Sequence, residues 1–148
     1  MTALKALNSP RQCRRLIVPR IARLSFALQQ FKPTSDYMME VLMNNEGWIK
    51  TCAVEDIDVE DVVRFDHGDR TYALYRNAKG DCFATDGHCT HEKVHLADGL
   101  VMGNLIECPK HNGRLDFTTG EAKRAPICDA IKTYPVKIDA GMLFIKVD

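Results

Sequence analysis

From residue 48 onward, apolar and polar residues alternate in short runs broken by turn residues. Residues 48–52 and 61–65 read as strands, the four residues 66–69 as a turn, and 71–75 as a strand pairing back in a hairpin. A turn at 77–80 leads into a strand at 82–85. Further strands are predicted at 105–107, 114–117, 134–138 and 142–147, with turns at 118–120 and 139–141. Short strands at this spacing predict an all-β fold, a small sandwich or barrel. Tyr72, Tyr75 and Phe83 sit as strand residues do and read as packing rather than an electron path. Trp48 reads as core near the start of the sheet. There is no glycine-rich strand-to-helix turn, hence no sign of a nucleotide-binding unit, and no internal repeat.

The first part of the chain obeys a different pattern. Residues 1–35 hold seven Lys or Arg and no acid, and residues 16–31 space their apolar positions for an amphipathic helix. Three readings stand for this segment. It is a targeting presequence; or it is an export signal, although Arg20 and Arg23 interrupt the apolar stretch such a signal needs; or the functional protein begins near Met39 or Met43. The last is preferred, and a partner-binding or disordered arm also remains open. No run of eighteen apolar residues predicts a membrane span, while a basic helix on a membrane surface stays open.

The chemistry concentrates in two short clips. Cys89-Thr90-His91 and Cys108-Pro109-Lys110-His111 are separated by sixteen residues. A ligand and its second or third neighbour face one small object only where the backbone turns around it. Gly87, Pro109 and Gly113 supply that turn chemistry. Two such loops form a jaw, each lip giving one sulfur and one imidazole, a donor set suited to iron–sulfur chemistry. A structural zinc site is the runner-up, although zinc sites more often pair Cys with Cys and His with His. Three other histidines compete less well. His88 points away from the metal that His91 reaches, His95 lies four residues beyond His91, and His67 sits in a turn. Asp86 and Glu92 flank the clips, but nothing marks a substrate pocket for paired-carboxylate catalysis. Lys110 and Asn112 stand on the rim, as partner contacts or as plain turn residues.

On these residues, residues 46–148 resemble a Rieske-type 2Fe-2S ferredoxin of the soluble bacterial type, nearest that associated with rhizopine catabolism. The stretches 89–92 and 108–113, with Thr119-Gly120-Glu121-Ala122 and Pro126 beyond them, carry the likeness over about two-thirds of the chain. The resemblance implies a Rieske-like β-sandwich base, from roughly 46–85 and 114–148, with an inserted cluster-binding subdomain at about 86–113. Residues 1–45 would form a basic extension. It implies one Rieske-type cluster per chain, with Cys89 and Cys108 on one iron and His91 and His111 on the other. It further implies a one-electron carrier between a flavin-containing NAD(P)H reductase and a terminal oxygenase, and no catalytic residues of its own. Terminal oxygenases add a mononuclear iron held by two histidines and a carboxylate. No histidine follows His111, so this chain cannot build one. A small subunit of a larger oxidoreductase such as nitrite reductase, and a redox sensor, are the alternatives.

Charge and cysteines refine the picture. Lys and Arg number 20, and so do Asp and Glu, but residues 36–148 carry a net −7. An acidic body suits docking on a basic redox partner, and equally suits plain solubility. Cys13, Cys52, Cys82 and Cys128 show no disulfide framework. They read as thiols in a reducing compartment, the cytoplasm, with Cys52 and Cys82 packed as small hydrophobes.

High-potential relatives of this type carry a cysteine in each loop where this chain has Lys93 and Lys110, and a serine where it has Gly113. Hydrogen bonds to the cluster sulfurs stabilise the reduced, more negative state. The expected midpoint is therefore near the low end of the Rieske range, about −150 mV. Redox titration of the holoprotein checks this; a midpoint above about +100 mV contradicts the reading of these three positions.

Overall fold

The structure, a computed structural model, describes residues 47–147. The basic extension and its amphipathic stretch lie outside the described residues. Among the described residues eleven strands follow one another: β1 (Trp48–Ala53), β2 (Asp61–His67), β3 (Arg70–Arg76), β4 (Cys82–Asp86), β5 (Leu100–Met102), β6 (Leu105–Glu107), β7 (Arg114–Asp116), β8 (Ala122–Arg124), β9 (Thr133–Tyr134), β10 (Val136–Asp139) and β11 (Met142–Lys146). They form three antiparallel sheets, ordered β1-β11-β10, β2-β3-β4-β9 and β5-β6-β7-β8. The all-β expectation holds.

The sheet containing β3 feeds two cores. Val62, Ala73 and Tyr75 join Leu96, Val101, Ile106, Leu115 and Phe117 in one core, which also contains Cys89 and Cys108. Val63, Tyr72, Leu74 and Ala84 join Ile57, Tyr134, Leu143 and Ile145 in the other. A strand covered on both faces loses the polar half of its alternation. Residues 72–75 of β3 are accordingly all buried. Tyr75 stacks on Phe117 with ring centroids 4.5 Å apart and planes within 5°, which ties this sheet to the one that follows it. Aromatic area buried in this way is among the largest single contributions to a small core.

The hairpin turn is tighter than the sequence pattern suggests. His67 faces Arg70 across the ladder, so Gly68 and Asp69 alone make the turn, with Gly68 at φ +58°. The strand expected over 134–138 divides at Pro135. Tyr134 completes the edge beside β4, and Val136 opens β10 beside β11. Proline has no N–H to carry a ladder through, and its carbonyl accepts from the Lys146 N–H at 2.9 Å. Trp48 departs from expectation too. It is half-buried rather than core, with the Lys137 ammonium 4.5 Å from its ring centroid. Cys52 and Cys82 are buried among apolar side chains, as anticipated.

Two features position the clips. The first clip leaves the end of β4. The second is the loop of the β6–β7 hairpin, where Glu107 pairs with Arg114. Its sheet continues through β8, to Arg124. The jaw is thus assembled from loops of two different sheets.

Candidate metal centre

The first lip is a closed loop on β4. Gly87 donates its N–H to the Thr71 carbonyl at 2.9 Å, and Leu96 donates back to the Gly87 carbonyl at 2.8 Å. Inside that ring, Cys89 N–H donates to the Val94 carbonyl at 2.9 Å, and His88 and His95 form an isolated antiparallel bridge. The second lip turns within six residues. Cys108 N–H donates to the Gly113 carbonyl at 2.8 Å, and Asn112 N–H to the Cys108 carbonyl at 3.1 Å. Asn112 sits at φ +57°, a left-handed conformation that asparagine tolerates better than most residues.

A third segment, which the sequence pattern did not single out, closes over both lips. It follows the cis Ala125–Pro126 bond. Ile127 is buried against Gly113, where an added Cβ would come within 2.7 Å of its Cγ1. Thr90 of the first lip donates its hydroxyl to the Asp129 carbonyl at 2.9 Å. Glycine at 113 is therefore a packing requirement as well as the loss of a side-chain donor.

These loops sort the four predicted ligands by depth. Cys89 and Cys108 are 4% and 3% exposed and share one core. His91 and His111 are exposed beside one another, ring centroids 5.2 Å apart and planes at 79°. Burial pushes the Cys108 thiol up. The backbone N–H groups of Lys110 and His111 point at its sulfur and pull the other way, and the neighbouring Cys89 adds to the rise. Two adjoining buried sulfurs with amide donors aimed at one of them, and two imidazoles at the mouth, fit a cluster with sulfur ligands inside and nitrogen ligands outside. A metal would stabilise the thiolate that burial disfavours.

Glu92 is the residue at the mouth that motif spacing underrated. Its carboxylate pairs with Lys110 of the opposite lip and lies 3.8 Å from His111 Nδ1. The hydrogen bond from Lys110, against some desolvation, holds this carboxyl below its ordinary range. Ligand atoms of His91, Glu92 and His111 lie within 4.8 Å of one another. A metal held by those three alone would leave both buried sulfurs unused, so the donor chemistry favours the four-ligand set. Lys110, expected on the rim, is there and joins the lips across the jaw.

The remaining candidates have other occupations. His95 is buried; its Nε2 lies 2.8 Å from Thr71 Oγ1, and its Nδ1 accepts from the Ala97 N–H at 3.0 Å. Both nitrogens are thereby used. Burial, with the Arg64 charge and then His88 adding to it, pushes His95 down to about 4. His67 is an exposed residue stacked beside Phe65. Asp86 accepts from the Tyr134 hydroxyl at 2.6 Å, and Arg70 lies 3.6 Å away, so it serves the fold rather than acid–base work.

The profile of the Rieske [2Fe-2S] domain matches residues 47–135. The ferredoxin component of the naphthalene 1,2-dioxygenase/salicylate 5-hydroxylase systems of Ralstonia sp is 40% identical over 103 residues, covering 70% of this chain and 98% of that protein. The ferredoxin of Sphingomonas yanoikuyae B1 superposes with a TM-score of 0.64 at 37% identity, covering 68% of this chain and 98% of that one. A chain from the complex of reduced oxygenase and oxidized ferredoxin in carbazole 1,9a-dioxygenase superposes equally well, TM-score 0.64, at 28% identity, over 69% and 94% of the two chains.

Two outcomes follow from the site. Replacing His91 or His111 by alanine abolishes the visible bands of the cluster, whereas His95→Asn leaves their positions unchanged; the reverse pattern overturns the ligand set. Stability also depends on His95. It stays neutral in the fold down to about 4 and takes a proton near 6.5 when unfolded. Its contribution is therefore complete above pH 6.5 and is lost as pH falls toward 4, by at most about 1.4 kcal/mol per pH unit. Urea unfolding between pH 7 and 4.5 should show a steeper loss for the natural protein than for His95→Asn; equal slopes contradict this.

Proposed function

The chain belongs to the Rieske [2Fe-2S] family, and from that premise we propose that it is a one-electron carrier. It takes electrons from a flavin-containing NAD(P)H reductase and delivers them to a terminal oxygenase, with Cys89, Cys108, His91 and His111 as cluster ligands. The [2Fe–2S] cluster, when bound, supplies reversible one-electron chemistry. The observation that carries the reading is the division of the donor set by depth, sulfurs sealed in the core and imidazoles side by side at the surface. A carrier needs this asymmetry. Its redox centre must be shielded from water yet lie within reach of a partner at one defined spot.

The named relatives support the partner class. The Ralstonia protein is the ferredoxin component of dioxygenase and hydroxylase systems, and one structural neighbour comes from a complex of an oxygenase with a ferredoxin. The chain's own residues supply the rest. Cys89 and Cys108 hold the inner side in a low-dielectric core with Leu96, Ile106 and Leu115. Lys110 and Glu92 close the jaw electrostatically, and the third segment is fastened by Thr90 and Ile127. The net −7 of residues 36–148 favours a partner with a basic docking face, so association should slow as salt rises. Among the described residues no helix is long and apolar enough to cross a membrane. We place the protein in the cytoplasm, where the exposed Cys128 thiol stays reduced.

Stopped-flow mixing tests the proposal. The oxidised protein should bleach rapidly with NADH and a ferredoxin reductase of an aromatic dioxygenase system. It should then recolour on mixing with the oxygenase, both steps slowing as ionic strength increases. Slow reduction with no reoxidation by the oxygenase would contradict a carrier role.

A further inference from the structure

His95 occupies a place that neither ligand chemistry nor simple core packing accounts for. It is 7% exposed, yet it is polar and lies on the returning limb of the first lip. The Ala97 N–H donates to its Nδ1, which fixes the neutral tautomer with the proton on Nε2. That proton is directed at Thr71 Oγ1, 2.8 Å away on β3. Thr71 itself stands opposite Asp66 of β2 in the ladder. A polar link therefore runs from the middle sheet into the loop that bears Cys89 and His91.

The same threonine holds the other end of that loop. Its backbone carbonyl accepts from Gly87 N–H at 2.9 Å, and Gly87 in turn accepts from Leu96 N–H at 2.8 Å. Gly87 leaves no slack in the arrangement. A Cβ there would meet His95 Nε2 at 2.5 Å and Thr71 Cγ2 at 2.9 Å. Residue 87 enters the loop and residue 95 leaves it, and both are fastened to Thr71. The carbonyl alone would anchor only the entry limb.

We propose that His95 is a positioning residue, which with Thr71 clamps the 87–96 loop so that Cys89 and His91 are held at the metal. This goes beyond the carrier reading but rests on its assignment of Cys89 and His91. The clamp acts on the retention of iron rather than on the identity of its ligands. Loss of one buried hydrogen bond should let the lip open more often, by about tenfold.

The test follows iron release from the holoprotein to a ferrous or ferric chelator at a temperature well below unfolding. Thr71→Val keeps the side-chain shape and removes the hydroxyl; Thr71→Ser restores it. The clamp requires Thr71→Val and His95→Asn each to release iron about tenfold faster. It also requires Thr71→Ser to behave as the natural protein, and the double variant to be no faster than the faster single one. Visible bands and reduced-state EPR of the remaining cluster stay those of the natural protein. If His95→Asn fails to fold, the Thr71 pair decides alone. Release at the natural rate in Thr71→Val, equal release from Thr71→Val and Thr71→Ser, or additive effects in the double variant overturn the clamp. Failure of the ligand assignment looks different: His91→Ala would then keep the cluster, whatever His95 and Thr71 do.

Discussion

Two thiol groups buried side by side are the constraint on which the rest of the structure turns. A sulfur ligand must ionise to bind metal, and two adjoining anions in an apolar core are costly unless a cation is shared between them. Cys89 and Cys108 come from loops of different sheets, so neither sheet alone creates the pair. The stacking of Tyr75 on Phe117 and the packing of Leu96, Ile106 and Leu115 bring the two sheets into one core with both sulfurs inside it. The fold therefore brings the two sulfurs together, an arrangement that a shared metal would make tolerable.

The jaw is held by ties of different strength. The innermost are backbone hydrogen bonds within each lip and the hydrogen bond between His95 and Thr71. The Thr90–Asp129 bond and the Ile127–Gly113 contact add a third segment across the top. The Glu92–Lys110 pair is the outermost, and as an exposed ion pair it contributes little on its own. Buried, geometrically fixed contacts thus set the inner side, while the outer side with its two imidazoles stays open. Such a gradient suits a centre that must keep its metal and still meet partners.

Much of this was legible in the sequence, and the parts that were not have physical reasons. The strands β1, β2, β4, β6, β7 and β11 fall where alternation and turn chemistry predict them, and β3 is marked by an apolar run between turns. The three-residue strands β5 and β8 are too short for a period of two to register. Pro135 was read as part of one strand because its neighbours are apolar; the missing N–H decided otherwise. The four candidate ligands were visible because Cys-x-His and Cys-x-x-His impose a spacing that survives without any fold. Glu92, Ile127 and His95 were not, because their roles arise from contacts across 18, 14 and 24 residues of chain. Local patterns cannot show such pairings. One signal was available for Ile127: a glycine at 113, with no side chain of its own, asks what fills the space.

The account's central claim is that these four side chains hold a sulfide-bridged iron pair. Iron and acid-labile sulfide analysis, joined to EPR of the dithionite-reduced protein, tests it most directly. The claim requires two irons and two labile sulfides per chain, as the [2Fe-2S] family demands, and a reduced-state signal of low average g. A colourless protein holding zinc and no labile sulfide would contradict it.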